Sequence, residues 1–196
     1  MKPPPPDHVA DPVSRRGVLT GPNVLTVLRL VLVPVFIVLM LPPASTGDRW
    51  WAAVVFVIAS LTDVVDGVWA RRTNQVTTFG KIADPIADKA LTGAALVLLS
   101  VLGDLWWWIT AVIIVRELGV TALRFWVIRH GVIPASRGGK AKTIAQMIAI
   151  TLYVVPVYIP VVAPLAMAVA VALTVVTGID YVARAVTLRR RGRAAR

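Results

Sequence analysis

Apolar residues fall into long blocks separated by short polar or proline-rich intervals. The first block, "NVLTVLRLVLVPVFIVLML", runs from about Asn23 to Leu41 and is stopped by Pro42 and Pro43. After the short loop "ASTGDR", a second block extends from Trp50 to about Ala70 and turns polar in its last two turns. The loop "RRTNQVTTFGK" leads to a third block, about Pro85 to Leu102, and Gly103-Asp104 reads as a tight turn. The fourth opens at Trp106, Trp107 and Trp108, ends near Arg129, and is followed by a basic, Gly-rich loop over 130–142. The stretch from Thr143 to Gly178 exceeds the roughly 20 apolar residues that one crossing helix needs. Pro156, Pro160 and Pro164 divide it into spans of about 143–158 and 162–183. The pattern predicts an all-α, polytopic membrane protein with six transmembrane helices over 22–184. A Pro-rich disordered tail is expected over 1–21 and a basic tail over 185–196.

Composition sharpens this picture. The 196 residues are 57% hydrophobic, and their mean hydropathy is +0.76. Lys and Arg outnumber Asp and Glu by 21 to 10. In a soluble chain that excess would suggest nucleic acid. Here the cations flank apolar blocks, so membrane lipids are the expected partner and nucleic acid is not. The absence of cysteine excludes disulfides and thiolate chemistry. His8 and His130 lie in polar segments and are read as solvated. The opening "MKPPPPDHVADPVSRRG" has no apolar core, so no cleavable signal peptide is expected.

Six spans put both termini on one side. Seventeen of the 21 cations then fall on that side, only Arg49 falls on the other, and Arg29, Arg116 and Arg124 lie within spans. Positive charge stays inside. Both termini and the segment after the second span are therefore expected to be cytoplasmic, with the chain in the cell's inner or plasma membrane. Trp50, Trp51 and Trp106 to Trp108 fit an outer aromatic belt.

That cytoplasmic segment carries the candidate chemistry. Asp63 and Asp66 are spaced i, i+3, and Asp84 and Asp88 i, i+4, so each pair shares a helix face. Four unpaired carboxylates at a membrane boundary would repel one another and be costly to desolvate. Divalent cations remove that cost, and all-oxygen ligands suit Mg²⁺, Mn²⁺ or Ca²⁺. A metal pair about 3.5–4 Å apart is a usual device for phosphoryl displacement. Gly67 and Ala70 let a ligand approach the helix backbone, Gly80 frees the connecting loop, and Arg71 can fork onto phosphate oxygens. An ion network with Arg71, Arg72, Lys81 and Lys89 would explain one Asp–Arg pair better than four carboxylates with glycine on the same stripe.

The string Asp63-x2-Asp66-Gly67-x2-Ala70-Arg71-x8-Gly80-x3-Asp84-x3-Asp88 resembles, without departure, the signature of the CDP-alcohol phosphotransferase family. The resemblance implies a six-helix membrane fold and a homodimer. It implies transfer of a phosphatidyl group from CDP-diacylglycerol, or a similar CDP-linked donor, to an alcohol, with release of CMP. It also implies two divalent cations, Mg²⁺ or Mn²⁺. Carried over, Asp63, Asp66 and Asp84 are metal ligands, and Asp88 is the general base and a ligand as well. Gly67, Ala70, Arg71 and Gly80 belong to the CDP side.

Three weaker segments, "PNVLTVLR" (22–29), "RELGVTALR" (116–124) and "GKAKTIAQ" (139–146), resemble phosphatidylglycerophosphate synthases within that family. They imply sn-glycerol 3-phosphate as the acceptor. An anionic acceptor needs cations near the metals, and an intramembrane arginine such as Arg116 is costly unless it faces a polar cavity. Arg116, Arg124, Lys140 and Lys142 are the expected phosphate contacts, with Arg137 as a further candidate. Lipid headgroups are an alternative role for Lys140 and Lys142. Glu117 is placed to orient Arg124. Asn23 and Thr26 are candidates for the donor pyrophosphate, against helix capping by Asn23 and packing by Thr26. Phosphatidylglycerol, as in a cardiolipin synthase, and inositol phosphate are alternative acceptors. A divalent-cation carrier is the alternative outside enzymes, although the expected second Asp-rich half is missing and Asp180 stands alone, placed to pair with Arg184.

Overall fold

A computed structural model of the chain describes residues 21–73, 78–127, 137–157 and 160–194. They form six helices and, among the described residues, no strand: α1 (Gly21–Met40), α2 (Thr46–Thr73), α3 (Thr78–Val101), α4 (Trp107–Val127), α5 (Arg137–Val154) and α6 (Val162–Ala194). Each apolar block became one helix, and Pro156 and Pro160 lie between α5 and α6, whereas Pro164 falls in the first turn of α6. Of the tail expected to be disordered over 1–21, residues 1–20 lie outside the described residues, and Gly21 is the first residue of α1.

Several boundaries differ from expectation, and α2 already begins at Thr46, inside the expected loop "ASTGDR". Helix α3 begins at Thr78, inside the expected loop, and α5 begins at Arg137, six residues before the apolar block. Helix α6 continues through the basic segment that the sequence set apart, to Ala194. Polar turns give no hydropathy signal, yet extending an existing helix adds one hydrogen bond per residue without a new nucleus.

The described connections are locally determined. At the start of α2, Ser45 and Asp48 form a reciprocal cap: the Asp48 amide donates to Ser45 Oγ (3.1 Å), and the Ser45 amide donates to Asp48 Oδ2 (2.8 Å). The Ser45 hydroxyl also donates to Asp48 Oδ2 (2.7 Å). At the end of α3, Gly103 takes φ +80°, which a Cβ would strain. Its amide donates to Ser100 O and the Asp104 amide to Leu99 O, so the last carbonyls are satisfied in a Schellman arrangement.

Helix α3 sits centrally, touching α1, α2, α4 and α5, while α1 packs on α2, and α6 packs on α4 and α5. Fully buried Ala52, Ala59, Ala95 and Ala149 allow close helix approach, and Phe36, Phe56, Leu96, Leu99 and Ile150 fill the space between. Phe36 and Phe56 meet at 5.7 Å between ring centroids. Polar and apolar positions are distributed against the habit of a water-soluble protein. Thr26, Arg29, Ser100, Thr110, Gln146 and Thr174 are buried, whereas Val38, Val115, Val161, Leu165, Val176 and Ile179 are exposed. Among the described residues, the helical stretch Val162–Arg189 is long and apolar enough to cross a membrane; Val24–Met40 and Lys89–Val101 are shorter apolar helices.

Candidate functional site

The four aspartates occupy facing stretches of α2 and α3, two helices that touch and are separated in sequence by only four residues. Such a pair runs antiparallel. Asp66 precedes the end of α2 by seven residues, and Asp84 follows the start of α3 by six. Asp63 and Asp88 lie ten residues from those same ends. At about 1.5 Å rise per residue, Asp66 and Asp84 lie roughly 9–10.5 Å along the axes from the linked helix ends, and Asp63 and Asp88 about 15 Å. All four are carboxylates, a donor set that fits hard divalent cations. The side chains of these aspartates and of Asn23, Gly67, Ala70, Arg71, Gly80, Arg124 and Arg137 lie outside the described residues.

A cavity of about 130 Å³ adjoins the aspartate segments between α1, α2, α3, α4 and α5. Ser60, one turn before Asp63, and Lys89, directly after Asp88, both line it. So do Arg29, Glu117 and Lys142, and the remaining wall is largely aliphatic and aromatic. Among the described lining residues there are thus three cations, Arg29, Lys89 and Lys142, and one carboxylate, Glu117. Arg29 is fully buried, and its Nε donates to Ala59 O on α2 (3.2 Å), one turn from Asp63. Neither Arg29 nor Lys89 was singled out for this role from the sequence. The available signal was a charged residue interrupting the apolar run of α1.

The expected acceptor cations separate into groups. Lys142 is buried in the cavity wall, and its ammonium donates to Glu117 Oε1. Arg116 faces α6: one guanidinium nitrogen donates to Glu117 Oε1 (3.0 Å) and the other to Thr177 Oγ1 (2.9 Å). Its stem lies across Gly178, where an added Cβ would come within 3.1 Å of Arg116 Cγ. Lys140 is exposed and outside the cavity lining. Among the described residues Glu117 thus pairs with Arg116 and Lys142, where Arg124 was the partner expected. Thr26 is buried in α1. Asn23 is the third residue of α1, past the capping position that was its alternative role. Asp180 is bound by Arg184 at 3.0 Å from each carboxylate oxygen, as its spacing implied.

The opposite end of the bundle is closed by Arg49. It donates to Asp104 (2.7 Å) and to the carbonyls of Tyr153 (2.9 Å) and Val154 (3.2 Å), tying α2 to the α3–α4 turn and to the end of α5.

The family model described as CDP-alcohol phosphatidyltransferase matches residues 19–176. A protein of Mycobacterium tuberculosis named probable phosphatidylglycerophosphate synthase is 53% identical over 168 residues, covering 84% of this chain and 80% of its own. Two proteins named CDP-diacylglycerol–glycerol-3-phosphate 3-phosphatidyltransferase are similar at lower identity. That of Bacillus subtilis is 43% identical, covering 66% of this chain and 74% of its own. That of Escherichia coli K12 is 41% identical, covering 66% and 73%.

Proposed function

The chain belongs to the CDP-alcohol phosphatidyltransferase family, and we propose that it transfers the phosphatidyl group of CDP-diacylglycerol to sn-glycerol 3-phosphate, giving phosphatidylglycerophosphate and CMP. What supports the choice of acceptor is the 41–53% identity to proteins named phosphatidylglycerophosphate synthase or CDP-diacylglycerol–glycerol-3-phosphate 3-phosphatidyltransferase. Lys142, in the wall of the cavity beside the aspartate segments, offers a cation for the phosphate of that acceptor.

In this reading the acceptor hydroxyl attacks the phosphorus that carries the diacylglycerol. One P–O bond forms, the P–O bond to CMP breaks, and CMP leaves with the electron pair. Asp88 takes the hydroxyl proton. Asp63, Asp66 and Asp84, with Asp88, would hold two divalent cations, Mg²⁺ or Mn²⁺, which would neutralise pyrophosphate charge and acidify the attacking alcohol. Gly67, Ala70, Gly80 and Arg71 receive the CDP moiety, with Asn23 and Thr26 near the pyrophosphate. Lys142 contacts the acceptor phosphate, and Arg116 supports it through Glu117. Arg124, Arg137 and Lys140 are further cations at the mouth.

The exposed valines, leucines and tryptophans support a lipid-covered exterior. All six helices cross the membrane, with both termini and the aspartates on the cytoplasmic side, and the working unit is a homodimer. Reporter fusions at Arg196 and near Thr46 are expected to lie on opposite sides; a common side would remove the six-crossing topology.

The acceptor is tested by CMP release from CDP-diacylglycerol with Mg²⁺ or Mn²⁺ and one alcohol at a time. Glycerol 3-phosphate is expected to support release. Release with phosphatidylglycerol or inositol phosphate, and none with glycerol 3-phosphate, would overturn the assignment.

A further inference from the structure

Glu117 is the one anion in the described wall of the cavity, and it is not idle. Its Oε1 receives both the Lys142 ammonium from α5 and an Arg116 guanidinium nitrogen from its own helix. Arg116 is itself fixed from the far side. Its other terminal nitrogen donates to Thr177 Oγ1, and the Thr177 hydroxyl is committed to Leu173 O (2.7 Å). Gly178 leaves room for the arginine stem and for little more. A continuous run of charge-assisted contacts therefore leads from α6 through Arg116 and Glu117 to Lys142. One turn further along α5, Gln146 donates to Thr174 Oγ1 (3.0 Å), a second tie between α5 and α6.

Lys142 is 5% exposed and lines a cavity that also contains Arg29 and Lys89. The Glu117 carboxylate offsets part of the cost of keeping a buried ammonium beside Arg29 and Lys89. We propose that Glu117 is the positioning residue of the acceptor subsite: it holds the Lys142 ammonium inside the cavity, where that ammonium receives the phosphate of the incoming alcohol. The role rests on the acceptor reading given above. Glu117 touches neither substrate and acts through Lys142, so its loss shows in the use of glycerol 3-phosphate and not in the use of CDP-diacylglycerol.

The test is initial-rate CMP release by the purified full chain and by Glu117→Gln, Lys142→Gln and the double variant. Each substrate is varied in turn at saturating concentration of the other. A charge-assisted hydrogen bond corresponds to a factor of about ten or more, so Glu117→Gln is expected to raise KM for glycerol 3-phosphate about tenfold or more and to leave KM for CDP-diacylglycerol within about twofold. The double variant is expected to match Lys142→Gln alone, because coupled residues are not additive. An unchanged glycerol 3-phosphate KM in Glu117→Gln would overturn the inference. So would losses that multiply in the double variant, or equal changes in both KM values. Should Glu117→Gln not fold, Glu117→Asp gives the same comparison. It keeps the charge but withdraws it by one methylene, so a raised KM for glycerol 3-phosphate alone supports the role and an unchanged one removes it. A wild-type chain that releases no CMP with glycerol 3-phosphate would instead defeat the functional reading itself.

Discussion

The two ends of the bundle use buried or half-buried cations in opposite ways. At one end Arg49 is satisfied by Asp104 and by two backbone carbonyls at the end of α5, and its position is dictated by chain ends that need closing. At the other end Arg29, Lys89 and Lys142 gather around a cavity with Glu117 as their one anion in the described wall, beside two helices that carry four aspartates. Pairing a cation with carbonyls and a carboxylate at a helix end builds the fold. Cations that line a cavity beside the aspartate segments are instead placed where an anionic substrate can meet them. The surroundings, a helix end in one case and a cavity in the other, separate the two groups.

The largest effect that would break this contrast is expected at the aspartates. Asp88→Asn keeps the shape of the side chain but cannot accept a proton, and loss of a general base typically lowers turnover by about 10²–10⁴-fold. Parallel measurements of kcat and CDP-diacylglycerol affinity should show the first falling and the second largely kept. Near-normal kcat would assign the proton to another group. Asp84→Asn is expected to lose metal dependence and donor affinity as well.

A smaller and different effect is expected at the other end. Arg49→Ala leaves Asp104 and the Tyr153 and Val154 carbonyls without this donor, at a cost of about 1–3 kcal/mol. Thermal unfolding in detergent should move down by several degrees, at roughly 2–4 °C per kcal/mol for a chain of this size. Activity per folded molecule should be unchanged, and a selective rise in one substrate's KM would erase the distinction between the two ends.

The smallest effect is expected at the cap of α2. Ser45→Ala removes one side of the reciprocal cap and should cost about 1 kcal/mol, read in the same melts. Side-chain and backbone hydrogen bonds from Ser45 hold the Asp48 carboxyl below its ordinary value. A depressed carboxyl contributes stability above its unfolded pKa, so this contribution should fade as pH falls through the carboxylate range.

Much of the fold was legible because it is written in apolar blocks. Pro156 and Pro160 divided the last two helices, and Gly103 marked a turn that only a residue tolerant of positive φ can make. The early starts of α3 and α5 and the extension of α6 were not legible, since those turns are polar and helical continuation leaves no periodic trace there. In the site, the apolar blocks put the aspartates toward the end of α2 and the start of α3, where the structure has them. The partnership of Glu117 with Lys142, 25 residues apart, depends on how α4 meets α5 and had no local signal. The orientation of Arg116 toward Thr177 and Gly178, rather than into the cavity, depends likewise on the packing of α4 on α6.

The aspartate end of the bundle is proposed to join glycerol 3-phosphate to a phosphatidyl group with the help of divalent cations. It is tested most directly by supplying the purified chain with CDP-diacylglycerol and isotopically labelled glycerol 3-phosphate, with and without chelator. The account predicts label in the lipid fraction in equal molar amount to CMP, abolished by the chelator and restored by Mg²⁺ or Mn²⁺. CMP released without label in lipid, or labelling that persists in the chelator, would contradict it.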